Sequence, residues 1–183
     1  AGRRRAPNPD ACAAPAHTLH FNHNDEDRPL TSLTIKTTSR RDLTGLTRVV
    51  EETQLFPCDM LETLLSPALS GDAPDVWLTA YADDDIVGFA YTIPEEMADG
   101  TWTMRALAVL PARQGLGIGS ELVASTEAAL RDRGARLLIV DTSGTPDFVL
   151  TRAFYAGNGY DEEARIRDFW ADGDDKVTYR KAL

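Results

Sequence analysis

Residues 113–120 read Arg-Gln-Gly-Leu-Gly-Ile-Gly-Ser, three glycines spaced two apart, directly after an apolar run and directly before a helical pattern. Where a strand stops at such a turn and the chain re-enters as a helix, the first helical N–H groups have no partners, and glycines let an anion come close to them. The helix dipole adds about 0.3–1 kcal/mol in favour of negative charge at an exposed N-terminus. In outline the turn is a phosphate cradle. It is neither of the two familiar ones: a G-x-G-x-x-G fingerprint begun at Gly115 needs a third glycine where Ser120 stands, and no G-K-[ST] ending follows.

The flanks give the turn its setting. Upstream, residues 102–110 form a long, mostly apolar run, as a central strand should, closed by Pro111. Downstream, Leu122, Val123, Thr126, Ala129 and Leu130 recur at helical spacing within 116–133, and Gly134 follows as a stop. Residues 137–140 make a short apolar strand, 147–156 a helix, and 160–169 and 176–183 two strands around the acidic turn 172–175. Before the turn come a strand at 33–36 and a helix entered at Ser39, with Leu43, Leu46, Val49 and Val50 on one face. A second helix over 60–65 is predicted to stop before Pro67. Two strands, 76–82 and 86–93, flank the turn Asp83-Asp84-Asp85 as a hairpin. The order βααβββαβαββ predicts one α/β domain with a mixed central sheet flanked by helices over residues 31–183.

The stretch 106–120, A-L-A-V-L-P-A-R-Q-G-L-G-I-G-S, resembles the acyl-CoA-binding motif of the GNAT N-acetyltransferase superfamily, with Gln114, Gly117 and Gly119 at its [QR]-x-x-G-x-[GA] positions. A second family signature is approached by residues 151–160, where Phe154-Tyr155 and Gly159-Tyr160 match, while Thr151 replaces an alanine and Phe148 an asparagine. The resemblance implies a central strand that bulges and splays from the next parallel strand, opening a gap for the arm of acetyl-CoA as co-substrate. Backbone groups of Leu107, Ala108 and Val109 would pair with that arm. N–H groups from Gln114 through Ser120, including Gly115, Gly117, Ile118 and Gly119, would hold the diphosphate, with Arg113 beside them.

The implied reaction is direct attack of a primary amine on a thioester within a ternary complex. A lysine-like amine titrates near 10.4, so its neutral form at pH 7 costs about 4.6 kcal/mol, and a base must take the proton. Glu95 and Glu96, at the end of a strand bordering the gap, are the candidates for that role. Tyr155 suits the acid, since a phenol stays protonated at neutral pH and outlasts a thiol. A second function class, an acyl-CoA-binding sensor or interaction module without transfer, keeps the cradle but lacks the base.

Composition narrows the partners. A formal net charge of −10 argues against nucleic acid, whose phosphates need clustered Lys and Arg, and favours a small-molecule or peptide amine. No run approaches the roughly 18 apolar residues of a membrane span, and Arg3-Arg4-Arg5 leads into no apolar segment, so no membrane partner and a cytoplasmic address are expected. Residues 1–30 lack periodicity and predict a flexible arm, in which His17, His20 and His23 are a solvated tail rather than a metal site. Cys12 and Cys58 fit no metal spacing and are expected to be plain thiols. Asp141-Thr142-Ser143-Gly144 misses the aspartic-protease Asp-[ST]-Gly by one residue and has no second copy. Asp141 is therefore expected to end its strand. An edge strand near the C-terminus offers a route to a homodimer.

Overall fold

The computed structural model describes residues 32–183; the arm and its histidines lie outside them. The elements are β1 (Leu33–Thr37), α1 (Leu43–Thr53), α2 (Met60–Ser70), β2 (Val76–Ala82), β3 (Asp85–Pro94), β4 (Thr101–Val109), α3 (Ile118–Arg131), β5 (Leu137–Ser143), α4 (Val149–Gly157), β6 (Asp161–Ala171) and β7 (Asp174–Ala182). They build one seven-stranded sheet in the order β1-β2-β3-β4-β5-β7-β6. Only the β4–β5 pair is parallel. The expected mixed sheet with flanking helices is what forms.

Apolar alternation explains the layers. α3 lies across β1 to β4 and α1 across β3 and β4. The core they close includes Leu46, Val49, Val50, Phe89, Ile118, Leu122, Leu130 and Leu138, each under 2 % exposed. A ladder of rings adds to it: Trp77 stacks on Tyr91 with centroids 4.0 Å apart and on Phe89 at 5.7 Å, geometry worth about 0.5–1.5 kcal/mol per pair beyond burial. Ser39 begins a short 3-10 turn ahead of α1, where its N–H and hydroxyl both donate to the Asp42 carboxylate at 2.7 and 3.0 Å.

Three expectations need correction. α2 does not stop before Pro67 but runs through it to Ser70. Leu61 and Leu65 are buried, and Leu64, Ala68 and Leu69 pack on the core, so tertiary contact outweighs the proline's lost hydrogen bond. β5 does not end at Asp141 but continues to Ser143, because β7 pairs Thr142 with Val177 and Ser143 with Lys176. Cys58 is disulfide-bonded rather than a plain thiol; with only two cysteines and no spacing pattern, nothing in the sequence signals pairing.

The rear of α3 is held by a buried charge. Glu127, 4 % exposed, accepts hydrogen bonds from Lys181 of β7 (2.8 Å), from the Tyr160 hydroxyl (3.1 Å) and from Arg131 one turn on (3.2 Å). Three donors offset the desolvation of one carboxylate, as a buried ion requires.

Candidate functional site

The site begins where two strands part company. β4 and β5 pair from Thr101↔Leu137 to Met104↔Val140 and no further, while β4 continues along β3 to Val109 and β5 continues along β7 to Ser143. The break follows a bulge: opposite Tyr91 and Thr92 of β3 stand Ala106 and Met104, leaving Arg105 as the extra residue. A bulge turns a strand away from its neighbour. Past Met104, β4 therefore has an edge that β5 does not cover.

Which main-chain groups face that edge follows from Gly88. A Cβ on Gly88 would lie 2.5 Å from the Ala108 carbonyl oxygen, so that oxygen points at β3. Alternation along the strand then directs the groups of Leu107 and Val109 to the open side. Of the expected backbone trio, Ala108 is the member turned away. The side chain of Gln114 reaches back over the gap and donates to the Val109 carbonyl at 3.0 Å.

Beyond β4 the chain turns through Gly115 and Gly117, both with left-handed φ (77° and 82°), and Gly117 is the residue capping α3. A Cβ at either position would meet no atom within 4 Å beyond its own chain neighbours, so the glycines leave space that the protein itself does not fill. The first helical bond runs from the Glu121 N–H to the Gly117 carbonyl, and no side chain caps the helix. The N–H groups of Ile118, Gly119 and Ser120 are thus left to the groove. Gly119 serves differently: a Cβ there would press the Phe154 ring at 3.2 Å, so the glycine lets α4 approach α3.

These parts line one cavity of about 620 Å³, within the range of small-molecule sites. It brings together Leu107, Val109, Arg113, Gln114, Gly115 and Gly117 with Ile118, Gly119, Ser120 and Tyr155. Sequence reasoning missed Leu150 and Thr151 as wall residues, and had Phe154 only as half of a motif match. The signal was present: Leu150 and Phe154, and Thr151 and Tyr155, are four apart and share a helix face.

Tyr155 is 5 % exposed and boxed by the rings of Phe154, Tyr160 and Tyr179 at 5.2, 5.8 and 5.9 Å. Burial pushes its phenol well above the ordinary value of 10.0, so it is a neutral donor throughout the physiological range. Among the described residues its hydroxyl has no protein hydrogen-bond partner, and the residue is part of the cavity wall.

Glu95 and Glu96 are not brought to this cavity. Both are exposed in the turn after β3, and the Glu95 carboxylate accepts a hydrogen bond from the Thr103 hydroxyl. Thr103 precedes Leu107 by four residues, about 13 Å at strand rise. No group of His, Cys, Asp and Glu among the described residues could hold a metal, and none of their helices is long and apolar enough to cross a membrane.

Comparison with known proteins agrees with this geometry. The model of the acetyltransferase (GNAT) family matches residues 43–160. No curated protein sequence matches the chain significantly. A GNAT-family protein from Desulfovibrio desulfuricans is 32% identical in sequence, aligned over 82% of this chain and 99% of its own, with a TM-score of 0.76. The ribosomal-protein-S18-alanine N-acetyltransferase from Escherichia coli (17% identity, 83% and 94% covered, TM-score 0.69) shares the fold. So does an N-acetyltransferase from Thermoplasma acidophilum in complex with coenzyme A (19% identity, 83% and 99% covered, TM-score 0.65).

Proposed function

The chain belongs to the GNAT acetyltransferase family, and on that premise we propose that it transfers the acetyl group of acetyl-CoA to a primary amine of a small molecule or peptide, by direct attack in a ternary complex. One observation carries the reading. The uncovered edge of β4, past Met104, leads straight into the unpaired amides at the head of α3, so one groove offers strand-like pairing at one end and anion binding at the other. A long ligand with amides in its middle and a diphosphate at its end matches that groove. That a relative of the same fold holds coenzyme A, and another is named for an alanine acceptor, supports it.

In this reading the main-chain groups of Leu107 and Val109 bond to the pantetheine amides. The N–H groups of Ile118, Gly119 and Ser120 hold the diphosphate, with Arg113 and Gln114 at its side. The acceptor first loses its ammonium proton to solvent; the neutral amine nitrogen then attacks the thioester carbonyl, the carbon–sulfur bond breaks, and Tyr155 gives its proton to the departing thiolate. The phenol then recovers a proton from the amine through solvent.

Calorimetry with acetyl-CoA, together with free-thiol release across a panel of amines, tests this. Binding with amine-dependent release is expected, and Gly117→Asp, which puts a carboxylate where the phosphates would sit, should abolish binding. Undiminished affinity in that variant overturns the assignment. The position of Glu95 and Glu96 outside the cavity favours a second reading, an acyl-CoA sensor, for which binding without release from any amine would be the result.

A further inference from the structure

β5 carries a carboxylate at the first position beyond its last pair with β4. Asp141 follows Val140, the residue opposite Met104 where β4–β5 pairing ends. Its neighbour across β7 is Thr178, and strand alternation puts Thr178 and Lys176 on the face of β7 opposite Tyr179. The Tyr155 ring packs on Tyr179. Asp141 and Tyr155 therefore border the opening from opposite faces of the sheet.

On that second face the carboxylate already holds an ammonium. Lys176 Nζ is 3.1 Å from Asp141 Oδ2, the Thr178 hydroxyl donates to Oδ1 at 2.6 Å, and the Lys176 ammonium sits 4.4 Å from the centre of the Phe169 ring. The Asp141 and Lys176 side chains are 26 % and 18 % exposed. Phe169 and its edge-on partner Trp170, by contrast, are half exposed. Carboxylate, hydroxyl and aromatic face are together what recognises an alkylammonium. Trading one ammonium for another leaves the charge balance unchanged, so the resident lysine can be displaced without stranding the carboxylate.

The geometry points to Asp141 and Phe169 as the seat of the acceptor's ammonium, occupied in the free protein by Lys176 as an internal stand-in. The acceptor is then a primary alkylammonium with an apolar body that covers Phe169 and Trp170. This rests on the transferase reading and deepens it. The amine would arrive on one face of the sheet and the thioester on the other, and on leaving the seat it would give its ammonium proton to solvent and meet the thioester as the neutral amine in the gap between β4 and β5.

The test compares wild type, Asp141→Asn, Phe169→Ala and Lys176→Met, using n-alkylamines of increasing length and a lysine peptide as acceptors, with acetyl-CoA affinity measured alongside. Asp141→Asn should raise the acceptor KM tenfold or more while acetyl-CoA binds within twofold of wild type. Phe169→Ala should raise KM several-fold, most for the longer amines. Lys176→Met should lower KM, because it vacates the seat. An ion pair that only braces the hairpin would suffer alike from loss of either partner, so KM changes of the same sign in Asp141→Asn and Lys176→Met overturn the proposal. An unchanged KM in Asp141→Asn does the same. If Asp141→Asn does not fold, Lys176→Met decides alone, with a lower KM supporting the seat and an unchanged or higher one removing it. Wild-type protein that fails to bind acetyl-CoA sinks the transferase reading itself, and this inference with it.

Discussion

Tyr155 shows how one side chain is tuned by what surrounds it. A phenol inside a box of three rings has nothing to stabilise its anion, so burial raises its pKa and leaves it a proton donor far past neutrality. Tyr155→Phe should therefore lower kcat by about 10²-fold or more, the span expected of a lost general acid, with acetyl-CoA affinity unchanged by calorimetry. The wild-type kcat profile should show no loss assignable to this phenol up to about pH 10, its ordinary value, since the shift is upward. Glu95→Gln and Glu96→Gln are the counterparts. With both carboxylates outside the cavity, kcat/KM should move by less than about threefold in thiol-release assays, well under the effect of a lost general base. Tyr155 lines the cavity that the aromatic pair ending in Gly-Tyr pointed to. An acidic turn at a strand end looks the same whether it borders a groove or only solvent, so the sequence set Glu95 and Glu96 beside a groove whose lining does not include them.

At the scale of elements, helix α2 is the instructive case. Pro67 removes one backbone donor from its interior, yet the helix persists to Gly71, whose left-handed φ of 80° ends it. Pro67→Ala restores a hydrogen bond to the Thr63 carbonyl and should stabilise the protein by about 1–3 kcal/mol, less about 0.4–1 kcal/mol for the freer unfolded chain. Urea melts would show a higher midpoint at unchanged slope. Elements with a plain local signal were readable in advance: β2 falls on Val76–Ala82, as its apolar run and the acidic turn after it dictate. Elements decided by distant partners were not. Thr142 and Ser143 look like a loop and become strand only because β7 supplies the ladder. The glycine turn was legible down to its unpaired amides, whereas helical spacing paired Leu150 with Phe154 and Thr151 with Tyr155 without saying that this face of α4 lines the groove.

For the whole molecule, the pattern of buried phenols sets an alkaline limit. Tyr81 is pushed up to about 12 by burial and by its bond to Asp42, and Tyr91 to about 12 by burial and by Asp75. Tyr155 and Tyr160 also rise, first through burial. Below about pH 10 folded and unfolded chains both keep these protons. Above it the unfolded chain releases them while the folded one does not, so unfolding sheds protons and stability falls with rising pH. Thermal melts should be flat up to about pH 9.5 and then lose Tm steadily across roughly pH 10–12. Tyr91→Phe should make that decline shallower.

The buried anchor at Glu127 bears on how a guest is admitted. Bolted through Lys181 to β7 and through Tyr160 to the residue that leads into β6, the hind part of α3 cannot recoil when something long and anionic presses on its front. The give has to come from the torsions of Gly115 and Gly117, so arrival should register as stiffening of two peptide units, visible as slowed amide exchange there, while the barrel of the helix stays put.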